Sequence, residues 1–165
     1  MNHDILVAGV GNIFLADDGF GVEVAKRLAS EALPESVRIA DFGIRGIHLA
    51  YELLEKKYAV TVLVDATPRG GQPGTVYLIE PDLGALGGNR CEAPDAHGMN
   101  PESVLAWLKS LGGDPGRVFI VGCEPACVEE NIGLSAPVAQ AVEEAMRLVR
   151  EIIQQRSNSS IDSEE

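Results

Sequence analysis

Five apolar runs of strand length recur along the chain, separated by patterns of helical period. Residues 5–9 (ILVAG) are apolar throughout and end at glycine, as a strand buried on both faces does. Residues 37–41 (VRIAD) alternate, and 59–65 (AVTVLVD) carry the strongest strand pattern. Residues 75–79 (TVYLI) follow a Pro73-Gly74 turn, and 118–122 (VFIVG) form a last buried run. Between them, Phe20, Val24 and Leu28 recur at helical spacing beside Val22, Ala25 and Ala29. Ile47, Ala50, Leu53 and Leu54 make a second stripe. Asn100 suits an N-cap ahead of Pro101, with Val104, Leu105, Leu108 and Leu111 following. Ser135 suits the cap of a last helix striped by Val138, Ala141, Val142, Ala145, Leu148, Val149 and Ile152.

Strands alternating with helices predict an α/β fold, a three-layer sandwich with a mostly parallel central sheet of about five strands flanked by helices. The Pro73-Gly74 turn predicts that the third and fourth strands form an antiparallel edge pair. Residues 1–156 are expected to form a single domain, and the polar, acidic residues 157–165 (SNSSIDSEE) a disordered tail. Residues 84–94 (GALGGNRCEAP) fit neither period and predict a functional or mobile loop.

Composition narrows the possible partners. A chain of 165 residues, 45% apolar and 23% charged, can bury a core without disulfide staples. With 13 basic against 25 acidic side chains its net charge is −12, which excludes nucleic acid and an anionic membrane surface as partners. No apolar run reaches membrane-spanning length, and Met1-Asn2-His3-Asp4 lacks the basic start of a signal peptide. Cys91, Cys123 and Cys127 are an odd set with no disulfide framework. A reduced, soluble, cytoplasmic monomer is expected.

Gly9-Val10-Gly11 opens like a dinucleotide-binding loop, but Phe14 stands where the third glycine is needed. Asp17 and Asp18 would then front a helix beginning near Asp18 or Gly19. Carboxylates there are themselves stabilised and repel a phosphate. A cation site or an acid–base site is favoured instead.

The stretch Gly9-Val10-Gly11-Asn12-Ile13-Phe14-Leu15-Ala16-Asp17-Asp18-Gly19-Phe20-Gly21-Val22 resembles the N-terminal motif of the nickel–iron (NiFe) hydrogenase maturation endopeptidases. Further likenesses follow in order over about residues 5–150. Asp41-Phe42-Gly43-Ile44-Arg45-Gly46 resembles that family's Asp-x-Gly-Thr-x-Gly loop, with Ile44 in place of threonine. Val62-Leu63-Val64-Asp65-Ala66 resembles its strand ending in aspartate, and Asp95-Ala96-His97 its histidine segment. Gly122-Cys123-Glu124-Pro125 and Asn131-Ile132-Gly133-Leu134-Ser135 resemble its last two elements, although cysteine is uncommon at 123 and 127.

The resemblance implies an aspartic-type endopeptidase that removes a short C-terminal extension from the hydrogenase large-subunit precursor after nickel insertion. It also implies a nickel-contacting trio, which falls on Asp18, Asp65 and His97; many members carry glutamate where Asp18 stands. The nickel would come from the substrate's own active site.

The residues themselves are compatible with that role. Asp18 follows the first strand and Asp65 ends the central one, so both are expected at the carboxyl edge of the sheet, where ligands bind. His97, just ahead of a capped helix, can reach the same crevice. Two carboxylates and an imidazole suit a first-row divalent ion. Such an ion could polarise a carbonyl or activate water, or could serve recognition alone. Asp17 is a candidate general base or a hydrogen-bond partner of the ligands. Covalent catalysis is disfavoured, since no Gly-x-Ser-x-Gly elbow exists and neither Cys123 nor Cys127 has an evident histidine. Taken alone, Asp17 and Asp18 equally suit helix capping, Asp65 a turn and His97 an exposed loop. A non-catalytic chaperone that binds the large subunit's metal centre is the first alternative, and a Rossmann-like nucleotide enzyme the second.

Overall fold

The computed structural model describes residues 4–44, 46–84 and 101–162. Five strands form one sheet: β1 (Ile5–Val10), β2 (Val37–Gly43), β3 (Val60–Ala66), β4 (Val76–Ile79) and β5 (Arg117–Cys123). Their spatial order is β2-β1-β3-β5-β4. The first four neighbours pair in parallel, and β4 runs antiparallel along β5.

That order corrects the expected third–fourth strand pair. Both edges of β3 are taken, by β1 and β5, so the segment after β3 crosses over and lays β4 on the free side of β5. Pro73-Gly74 still precedes an antiparallel edge strand, but its partner is the fifth.

The period of two in each strand divides the core. Ile5 and Val7 of β1 and Val60, Val62 and Val64 of β3 face helices α1 (Phe20–Ala29) and α4 (Ala136–Asp162). Leu6, Ala8, Val10 and Leu63 face helices α2 (Gly46–Glu55) and α3 (Pro101–Ser110). Thr61, a polar residue within β3, is buried, and its hydroxyl donates to the Pro115 carbonyl at 2.8 Å. The result is the expected three-layer sandwich.

The helical stripes differ in detail. In α2 the buried residues are Gly46, Leu49, Ala50 and Leu53, while Leu54 turns outward, because four residues at this spacing already fill the arc that meets the sheet. Met146 and Ile153 join the buried face of α4. The same helix runs on through Asp162, six residues into the segment expected as a tail. Two tethers accompany the extension: Arg156 pairs with Asp4 at 2.7 Å, and the Ser157 hydroxyl donates to the Ile153 carbonyl. No helix among the described residues is long and apolar enough to cross a membrane.

Candidate active site

The chain leaves β1 toward β2 on one side, and β3 pairs with β1 on the other. The crevice between the carboxyl ends of β1 and β3 is therefore the topological switch point of the sheet. Asp65 is the penultimate residue of β3, and Asp18 lies in a single 3-10 turn (Ala16–Gly19) between β1 and α1. The structure thus brings Asp18 and Asp65 to one edge. His97 lies outside the described residues, as do Cys91, Arg45 and most of the 84–94 loop.

Local chemistry places each carboxylate. Asn12 forms an Asx turn, its side-chain oxygen accepting the Phe14 N–H at 2.9 Å, while its own N–H donates to Asp18 Oδ2 at 2.8 Å. Gly11 stands between the two acids with φ +133. A Cβ there would lie 1.9 Å from the Asp18 carbonyl oxygen and 3.3 Å from Asp65 Oδ1, so only glycine fits.

Asp65 is 5% exposed, and Oδ1 accepts the Ala66 N–H at 2.8 Å. Burial holds its carboxyl well above the usual range, and the negative charges of Asp18 and Glu102 push it the same way. Glu102, in the first turn of α3, lines a cavity of about 350 Å³ with Asp65, Ala66 and Pro68. Asp18 lines an adjoining cavity of about 640 Å³ with Gly11, Ala66, Pro68 and Glu130. Among the described residues no three His, Cys, Asp or Glu side chains form a set able to hold a metal ion, so a complete trio needs a group from outside them. The two carboxylates nonetheless fit a cation. A buried acid facing further acids is costly when ionised, and a positive ion relieves both.

Asp17 has another task than the general base considered above. It is fully buried, and four groups donate to it: the N–H groups of Ala126, Cys127 and Ser135 and the Ser135 hydroxyl, at 2.7–3.0 Å. Burial works to raise its pKa, but these bonds together outweigh it and leave the carboxyl below its usual value. An acid so engaged is a poor proton acceptor. Ser135 stands just before α4, where its carbonyl accepts the Ala139 N–H at 2.8 Å, and its hydroxyl proton goes to Asp17.

Glu124, named in the sequence only as part of the Gly122-Cys123-Glu124-Pro125 element, has a role that appears in the fold. It is 4% exposed, and accepts bonds from the N–H groups of Arg69 and Gly71 and from the Tyr77 hydroxyl. A lone glutamate after a strand gives no signal in sequence, because its donors lie about 50 residues away. Cys123 is buried, and burial above all, with the nearby charges of Asp17 and Glu124, pushes its thiol up to about 11. A thiol held in that form is no nucleophile at neutral pH.

Apolar side chains ring the larger cavity. Leu15, Ile44, Val128, Pro68 and Pro125 line it. Phe14 (60% exposed) and Ile132 (73% exposed) stand beside it on two segments joined by Asn131, whose N–H donates to the Phe14 carbonyl and whose carbonyl accepts the Ala16 N–H. An acidic crevice with an apolar rim is suited to a macromolecular substrate.

Comparison with known proteins agrees with this architecture. The model of the hydrogenase maturation protease family matches residues 22–152. The hydrogenase expression/formation protein HupD of Rhodobacter capsulatus is 35% identical over 88% of this chain and 71% of its own. The hydrogenase 2 maturation protease of Escherichia coli is 29% identical over 97% of this chain and 96% of its own. Among solved structures, the E. coli hydrogenase maturating endopeptidase HybD superposes with a TM-score of 0.75 at 27% identity, covering 94% of each chain. The maturation protease HycI of Thermococcus kodakarensis gives 0.70 at 27% identity, over 91% of this chain and 92% of its own. With a switch-point crevice, its paired aspartates and a family match over most of its length, this chain belongs to the hydrogenase maturation proteases.

Proposed function

We propose that this chain is an endopeptidase that removes a short C-terminal extension from the large-subunit precursor of a nickel–iron hydrogenase once nickel has been inserted. In this reading Asp18, Asp65 and His97 grip the precursor's own nickel, and the grip presents the scissile peptide to the crevice. The enzyme works as a monomer in the cytoplasm. The nickel is part of the substrate, and this chain's residues recognise it.

The observation that carries the reading is the pair of acids, Asp18 and Asp65, at the switch point. Asp65 is buried and faces Asp18 and Glu102, an arrangement that favours an arriving cation. Aspartic-type, non-covalent hydrolysis accords with the buried, protonated Cys123 thiol. Asp17, held by four donors, is left out of proton transfer.

Nickel-loaded and nickel-free precursor, each incubated with the enzyme and weighed by mass spectrometry, test the function. A short C-terminal fragment should be lost from the loaded precursor alone. Binding without any change in mass would replace the peptidase by a chaperone of the metal centre, and equal cleavage of both precursors would remove the nickel requirement.

The apolar rim makes a separate prediction. Phe14→Ser and Ile132→Ser remove exposed apolar surface worth about 1–2 kcal/mol each when covered by a partner. KM for the precursor should rise about 5- to 30-fold, while kcat and the melting temperature stay near wild type. An unchanged KM would place the docking surface elsewhere.

A further inference from the structure

We propose that Asp17 and Glu124 are positioning residues of the processing reaction, two buried carboxylates that tie together the loops following β1, β3 and β5 and so set where Asp18 and Asp65 stand. The inference rests on the reading of those two aspartates as the substrate-gripping pair.

The segment after β5 is the centre of the tie. Its first residue, Glu124, reaches to the loop that follows Asp65. Glu124 Oε1 accepts the Gly71 N–H at 2.7 Å, the Arg69 N–H at 2.9 Å and the Tyr77 hydroxyl at 2.9 Å. The backbone of the same residue is fastened too: its N–H donates to the Thr75 carbonyl and its carbonyl accepts the Gly74 N–H. Two residues further on, Ala126 and Cys127 donate their N–H groups to Asp17 Oδ2, at 2.8 and 3.0 Å. The Asp17 N–H returns a bond to the Cys127 carbonyl at 3.0 Å. One four-residue stretch thus sends a carboxylate to the β3 loop and receives one from the β1 loop.

The acids that would grip the substrate are neighbours of these ties. Asp18 follows Asp17 directly, and Ala16, just before it, holds φ +48, a left-handed conformation that costs a residue with a Cβ about 1 kcal/mol. The bonds on Asp17 maintain that turn. Ala66 and Pro68, between Asp65 and the Glu124 tie, line both cavities. A carboxylate suits each position because it only accepts, and every group converging on it donates. An amide at 124 can keep one oxygen for these donors but sets its NH2 against the Arg69 N–H, which also lies 3.2 Å from Oε2.

The test uses the full chain and the nickel-loaded precursor, with Glu124→Gln and Tyr77→Phe compared with wild type. Glu124→Gln should speed amide hydrogen exchange at Arg69 and Gly71 and lower kcat at least about tenfold, with KM within twofold. Tyr77→Phe removes one donor from the same carboxylate but leaves both loop N–H bonds, so kcat should stay within twofold even where its melting temperature falls as far. A faster-exchanging loop with unchanged kcat in Glu124→Gln overturns the inference. So does retained protection at Arg69 and Gly71, or an equal kcat loss in both variants. Failure of the wild-type enzyme to cleave overturns the proposed function itself, and this inference with it.

Discussion

Asp65→Asn is expected to abolish processing and, in the same sample, to raise the melting temperature. The substitution keeps an oxygen for the Ala66 N–H and removes a charge that burial, Asp18 and Glu102 all oppose. Relief of that opposition should stabilise the fold by about 0.5–2 kcal/mol, a rise of roughly 1–8 °C for a domain of this size. Processing should fall at least about 100-fold, since in the proposed reading Asp65 contacts the substrate's ion directly, and such a contact matters more than the partners behind it.

The pH dependence has a definite sign. Asp65 is an acid whose folded pKa is raised, so between the unfolded carboxyl value, about 3.9, and the folded one the native state binds the extra proton. Its contribution therefore weakens stability as pH rises through that window, and the loss is complete above the folded pKa. The advantage of Asp65→Asn should be absent at and below about pH 4 and grow as pH rises from there toward the folded pKa, as calorimetry across pH would show. A variant less stable than wild type at neutral pH would mean that Asp65 is already neutralised within the fold.

Gly21→Ala should give a large loss of stability from one added carbon. Gly21 faces the sheet from the first turn of α1, where a Cβ would stand 1.9 Å from the Val64 carbonyl oxygen and 2.5 Å from that of Val10. Both are backbone atoms of the central strands β1 and β3, and neither can rotate away. The helix must lift from the sheet, at a cost near the upper end of ordinary overpacking, about 3 kcal/mol. That corresponds to a fall of roughly 6–12 °C in melting temperature. Because Asp18 lies just before α1, processing should decline as well. A melting temperature within 2 °C of wild type (about half a kcal/mol) would contradict the close approach.

The glycines of the first motif show why resemblance and physics coincide. Gly9 looks in sequence like part of a nucleotide loop, yet in the fold Gly9 and Gly21 let α1 lie directly on β1, with Gly21 facing Val64 as well. Gly11 leaves room for Asp18 and Asp65 to share one crevice. Phe14, which breaks the nucleotide pattern, stands exposed beside the mouth of that crevice.

Strand and helix positions were legible because burial repeats locally, every two residues or every three to four, and each repeat lies within one segment of chain. The α/β class followed from their alternation, and Asp18 and Asp65 from the motif resemblance together with their places after the first strand and at the end of the central one. Partner choice was not legible. Which strand flanks β4 depends on which edge remains free once β1, β3 and β5 have paired, and that is a property of the assembled sheet. The duties of Asp17 and Glu124 were hidden for the same reason. Asp17 meets its donors 109 to 118 residues along the chain, and Glu124 meets its loop donors 53 to 55 residues back. Sequence by itself determined where acids would stand near the sheet's carboxyl edge. Tertiary structure decided which acid lines the crevice and which is taken up by backbone N–H groups, because that depends on donors brought near only when the loops close together.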